Sequence, residues 1–127
     1  MGARRATAVL SSLALKGVLE KLQGGFERSC GPLELRFDAT QALLPLVRAG
    51  EKADLLILTA EAIDELLAGG ALSRRWVLGS SGVGIAVRSG APRPDIHSVE
   101  ALKNALLAAR SVAHSKVGAS GLYFSEL

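Results

Sequence analysis

Cysteine occurs once among the 127 residues of this chain, at Cys30. One thiol excludes an internal disulfide and a cysteine-based zinc site, and Cys30 reads as a small side chain in the loop after a helix. Aromatic residues make up only 4% of the chain, which argues against an aromatic-rich β sandwich. No apolar run approaches the roughly 20 residues that a membrane-spanning helix requires. Charge of one sign is also missing: 15 Lys and Arg face 12 Asp and Glu, a net charge of +3. The basic residues are scattered, and no basic helix face interleaved with aromatics appears, so nucleic acid is not an expected partner. The pI near 9.4 favours small anionic partners. Nothing in the pattern asks for a metal or a cofactor.

What is present is an apolar fraction of 49% with 14 glycines, the composition of one Ala/Leu/Val-built α/β domain with many tight turns. The apolar pattern alternates between strand and helix periods, as in a parallel sheet. Thr7 to Leu10 reads as a strand. Leu13 to Arg28 reads as a helix, with Ser12 at the N-cap and Leu15, Val18, Leu19, Leu22 and Phe26 at helical spacing. Gly31-Pro32 turns the chain into a strand over Leu33 to Phe37. Thr40 opens a second helix that admits Pro45 near its first turn and ends at Ala49-Gly50. Ala53 to Leu58 reads as a buried strand, and Ala60 to Leu67 as a helix ended by Gly69-Gly70.

Beyond this point the punctuation changes. Gly79-Ser80-Ser81-Gly82 and Ser89-Gly90-Ala91-Pro92 flank an apolar strand at Val83 to Val87, which suits a crossover between lobes. Ser98 caps a helix over Val99 to Ala109, Ser111 to His114 reads as a short strand, and a last helix opens after Gly118. That helix reads as unfinished at Leu127. The expected organisation is a first lobe over 1–82 lacking its return segment, a crossover strand and hinge over 83–90, and the start of a second lobe over 91–127. Trp76 falls near the hinge, where packing is its default role.

Arg4-Arg5 followed by Ala6 to Leu15 imitates a secretory leader. Lys16 interrupts the apolar run, however, and no A-x-A site follows, so these residues read as the first strand and helix of the mature fold.

Chemistry gathers at the junctions between strands and helices. Ser11-Ser12, Ala39-Thr40 and Ala119-Ser120 each place a hydroxyl at or near a first helical turn. In a parallel sheet such junctions lie at the carboxyl ends of the strands, where ligands bind. Free N–H groups and helix dipoles there favour an anion, each exposed terminus contributing about 0.3–1 kcal/mol. Ser and Thr are also the commonest N-caps of any helix, so a single hydroxyl decides nothing and the coincidence carries the reading.

Three segments resemble one family: Val9-Leu10-Ser11-Ser12-Leu13, then Phe37-Asp38-Ala39-Thr40 leading through Leu46 to Ile57, and finally Ser111 to Phe124. The chain is similar over nearly its whole length to molybdate-type extracellular solute-binding proteins of ABC transporters. The resemblance implies an α/β fold of the type 2 periplasmic-binding-protein kind, with a mostly parallel sheet and flanking helices, truncated before the second lobe is complete. It also implies a clamp that captures a small oxyanion. By this resemblance Ser12 is the first-loop serine, Thr40 stands for a second serine, and Ser120 contributes through its backbone N–H. The candidate ligand-binding set is Ser11, Ser12, Ala39, Thr40, Ser115, Ala119 and Ser120. The implied partners are a small anionic solute and, if the chain is exported, a transporter permease. Unpaired sheet edges add a homodimer to the expected partners. The resemblance implies the periplasm, whereas the N-terminus fits the cytoplasm as well, and the sequence leaves both open.

Two other readings stand beside the clamp: a ligand-sensing domain like the effector domain of LysR-type regulators, and a self-associating remnant without transport role. No helix-turn-helix precedes the fold in this sequence, which argues against the regulator. Catalysis is not expected. A His114–Ser120 pair lacks a third group and a G-x-S-x-G elbow, Asp54 and Asp64 do not form a two-carboxylate site, and Gly79 to Gly84 lacks the Lys-Ser/Thr of a phosphate loop.

Overall fold

A computed structural model describes residues 4–127, so the first three residues of the expected first lobe lie outside the described residues. The strands are β1 (Thr7–Ser12), β2 (Leu33–Asp38) and β3 (Leu55–Ile57). The helices are α1 (Lys16–Cys30), α2 (Thr40–Arg48), α3 (Ala60–Ala68), α4 (Val99–Ala108) and α5 (Ala119–Ser125). The three strands are parallel in the order β2-β1-β3. This is the α/β architecture expected from the alternation of periods.

β1 is central because it is apolar on both faces, and Val9, Leu10 and Ser11 are buried. β2 alternates half-buried and exposed residues, as its Leu-Glu-Leu-Arg-Phe-Asp pattern requires. The core forms where α2 and α3 meet the sheet. Leu44, Ala62 and Leu66 make one buried cluster, with Val47, Leu56, Leu58 and Leu72 packed against it. Leu43 is fully buried as well. Each such leucine contributes about 1.5–3 kcal/mol of apolar burial.

Asp54 fastens the amino ends of β1 and β3. Its carboxylate accepts from Arg5 Nη1 at 3.0 Å, from Arg5 Nη2 at 2.5 Å and from the Ala8 N–H at 2.9 Å, while the Asp54 N–H donates to the Ala8 carbonyl at 2.9 Å. The hydrogen bonds from Arg5 and then from Ala8 hold the Asp54 carboxyl below the usual carboxylate range.

Several sequence expectations need correction. Leu13–Leu15 form a 3-10 turn, and α1 starts only at Lys16. Ser12 stands at the N-cap position of that turn, yet its side chain makes no capping bond. The apolar stripe of α1 is not a core face here, since Val18, Leu22 and Phe26 are exposed. Pro45 is the sixth residue of α2, past the first turn, so its missing N–H costs that helix an internal hydrogen bond. β3 pairs only over Leu55–Ile57, and Leu55 at this sheet edge is exposed.

Val83 to Val87 and Ser111 to His114 are not strands. Their sequences have strand periodicity, but neither has a ladder partner among the described residues, and a strand exists only by pairing. Val83, Ile85, Val87 and Val112 are therefore exposed, and so is Trp76. Ser98 does cap α4 as expected, its hydroxyl accepting from the Ala101 N–H at 3.1 Å. No helix among the described residues is long and apolar enough to cross a membrane.

Candidate functional site

The strand order places β1 between β2 and β3, so the chain leaves β1 toward one edge and later returns to the other. That reversal is a topological switch point, and the crevice outside the carboxyl ends of the strands beside it is where open α/β sheets bind ligands. The register makes the geometry explicit. Ser12 pairs with Asp38, and Ser11 pairs with both Phe37 and Ile57. The turns that follow β1, β2 and β3 thus begin at one level of the sheet.

Four of the expected residues meet on this edge. Ser11 is fully buried, and its hydroxyl donates to the Ser12 carbonyl at 3.0 Å. Ser12 is only partly buried, with an extended backbone and a side chain free of capping duty. Ala39 occupies the N-cap position of α2 and has no side-chain oxygen to offer. No side chain caps the first turn of α2, although the Ala42 N–H donates to the Ala39 carbonyl at 2.9 Å. Thr40, the first residue of α2, is 9% exposed.

Three further residues belong to this edge and were not singled out in the sequence. Thr59 stands at the N-cap position of α3 and makes no side-chain capping bond. The rule that found Ser12 and Thr40, a hydroxyl between an apolar strand and a helix, applies equally to Leu58-Thr59-Ala60. Lys16 opens α1 with its ammonium 5.9 Å from the centre of the Phe37 ring, and 3.9 Å from Glu20. Asp38 closes β2, and its carboxylate accepts from the Ala39 N–H at 2.7 Å. The edge therefore offers hydroxyls, first-turn N–H groups and the Lys16 ammonium, together with the carboxylates of Asp38, engaged by the backbone, of Glu20 beside Lys16, and of Glu61 in the first turn of α3.

The remaining expected residues form a second group. Ser115 Oγ accepts from the Gly118 N–H at 2.8 Å, which ties down the turn into α5. Ser115 and Ser120 line a cavity of ≈ 1310 Å³ between α4, α5 and the extended segments 82–87 and 111–115. Ala119, the first residue of α5, is exposed and does not line it. None of Ser11, Ser12, Ala39 or Thr40 lines that cavity. His114 does, with its Nδ1 3.1 Å from the Ser115 carbonyl oxygen and its ring centre 5.2 Å from that of Phe124. Among the described residues, no group of three or more His, Cys, Asp or Glu is placed to hold a metal ion.

Comparison with known proteins adds two findings. The family model described as "bacterial extracellular solute-binding protein" matches residues 7–127. A protein named aconitate isomerase, from a Pseudomonas species, is 35% identical over 94% of this chain. The chain spans 48% of that relative's length.

The second finding corrects the expectation that catalysis has no place here, because a relative at this identity is named for an enzymatic reaction. Triads, paired carboxylates and phosphate loops are the signatures that the sequence lacks. Catalysis can do without them where one group of suitable basicity stands beside a bound substrate.

Proposed function

Because this chain belongs to the bacterial extracellular solute-binding protein family, we propose that it binds a small polycarboxylate at the carboxyl edge of its sheet. The observation that carries this reading is the gathering of Ser12, Ala39-Thr40 and Thr59 at one end of three parallel strands, with N-cap positions whose side chains make no capping bond. The two helix termini among them, those of α2 and α3, each favour an anion by about 0.3–1 kcal/mol. Both, with the Ser12 hydroxyl and Lys16 nearby, suit a solute that carries more than one carboxylate. The relative's name supports the same class, since aconitate is a tricarboxylate. Tetrahedral oxyanions such as molybdate make the same kinds of hydrogen bond and are the competing ligands.

In this reading residues 4–82 act within one lobe, 83–90 as the hinge, and 91–127 within a second lobe that closes on the solute. Hydroxyls of the sheet edge and the group around Ser115 and Ser120 then face the ligand from opposite sides. Delivery to a transporter permease is the role such a clamp would serve.

A second reading is favoured by the relative's name: the bound tricarboxylate is isomerised instead of handed on. The two share one site and differ in what happens after closure.

A thermal-shift titration with cis-aconitate, trans-aconitate, citrate, sulfate and molybdate tests the binding. We expect a rise in Tm with aconitate that grows with concentration, as mass action requires. A rise with molybdate alone would replace the polycarboxylate by an oxyanion, and no rise with any of them would refute the reading.

A further inference from the structure

Resting on the isomerase reading, we propose that His114 is the residue that moves the proton. The chain has two histidines, and the structure separates them. Both are exposed, but His97 has its Nδ1 2.5 Å from Asp95 Oδ1 and does not line the large cavity. His114 lines that cavity beside Ser115 and Ser120.

The tautomer of His114 follows from its partner. A carbonyl oxygen only accepts, so the 3.1 Å contact between Nδ1 and the Ser115 carbonyl requires the hydrogen to be on Nδ1. In the neutral ring, Nε2 then carries the lone pair, the arrangement a general base needs. The ring is braced by Phe124, whose plane is tilted 50° to it. The Ser115 carbonyl is fixed in turn, because Ser115 Oγ is bonded to the Gly118 N–H and the Ser115 backbone lies against Gly121. A base whose tautomer and ring position are both set by its neighbours is suited to proton transfer without a metal.

The chemistry balances with this one group. Aconitate carries a methylene carbon next to its C=C bond. His114 Nε2 takes a proton from that methylene, and the C–H electron pair becomes the new C=C bond. The former π pair accepts the proton back from Nε2–H at the far end of the three-carbon unit. Substrate and product have the same composition, no oxidant or reductant is required, and the geometry about the double bond can change.

The test is deuterium incorporation into trans-aconitate in D2O, followed by NMR with the 127-residue chain. The wild-type protein is expected to exchange and isomerise the substrate. His114→Gln is expected to slow both at least about 100-fold, while an aconitate-dependent thermal shift is still observed. His97→Gln is expected to behave as wild type. If His114→Gln is not folded by far-UV circular dichroism, His114→Gly with added imidazole replaces it, and exchange restored by imidazole is the expected result. Wild-type exchange in the His114 variants would overturn the assignment. Wild-type protein that binds aconitate without exchanging it would overturn the assignment together with the isomerase reading, leaving the binding reading intact.

Discussion

The backbone of Ser115 lies so close over Gly121 that a Cβ added to Gly121 would stand 1.8 Å from the Ser115 carbonyl oxygen. Gly121 is buried within the first turns of α5, and only a hydrogen at this position admits the approach. The contact also holds the carbonyl to which His114 Nδ1 donates. Gly121→Ala is therefore expected to destabilise the fold by about 1–3 kcal/mol, the usual cost of overpacking. Chemical denaturation measures it. Unchanged stability would mean that the segment before α5 packs elsewhere.

The Arg5 and Asp54 pair makes stability depend on acid. The Asp54 carboxyl is held below its ordinary value of 3.8 by Arg5 and by the Ala8 N–H. A depressed carboxyl stabilises the fold fully above the unfolded value and loses that contribution as pH falls through the folded value. Wild-type stability is expected to fall with pH below 3.8, and Asp54→Asn to be weaker at neutral pH with a shallower acid slope. Denaturant midpoints between pH 7 and pH 2 check both, and equal slopes would remove Asp54 from the account.

The core prediction is simpler. Leu43 has 0% of its surface exposed, and Leu43→Ala is expected to cost about 2–5 kcal/mol by the transfer and cavity terms together. Val18→Ala on the exposed side of α1 is expected to stay within about 0.5 kcal/mol. Similar losses at both positions would contradict the placement of the core between α2, α3 and the sheet.

Much of this architecture is legible in the chain because the determinants are local. The two-residue period of Leu33, Leu35 and Phe37, the apolar run of β1, and the Gly69-Gly70 stop are read without knowing the partners. The segments at 83–87 and 111–114 have the same local character, yet pairing is a property of two segments, and here no neighbour supplies the ladder. The exposure of the α1 stripe has a related reason, since periodicity shows that a face is apolar but not what covers it. At the proposed site, Ser12 and Thr40 are legible as hydroxyls at junctions. Lys16 and Asp38 are not, because their place at the sheet edge depends on the register of Ser12 with Asp38.

The measurement that bears most directly on the central claim is calorimetric titration of aconitate into the wild-type chain, Ser12→Ala and Thr40→Val. A hydrogen bond to a charged group is worth about 1.5–3 kcal/mol. The account therefore predicts saturable binding by the wild type and a loss of roughly 10- to 100-fold in each variant, with folding retained. Equal affinity in all three proteins, or no binding by the wild type, would contradict a polycarboxylate site at the carboxyl edge of the sheet.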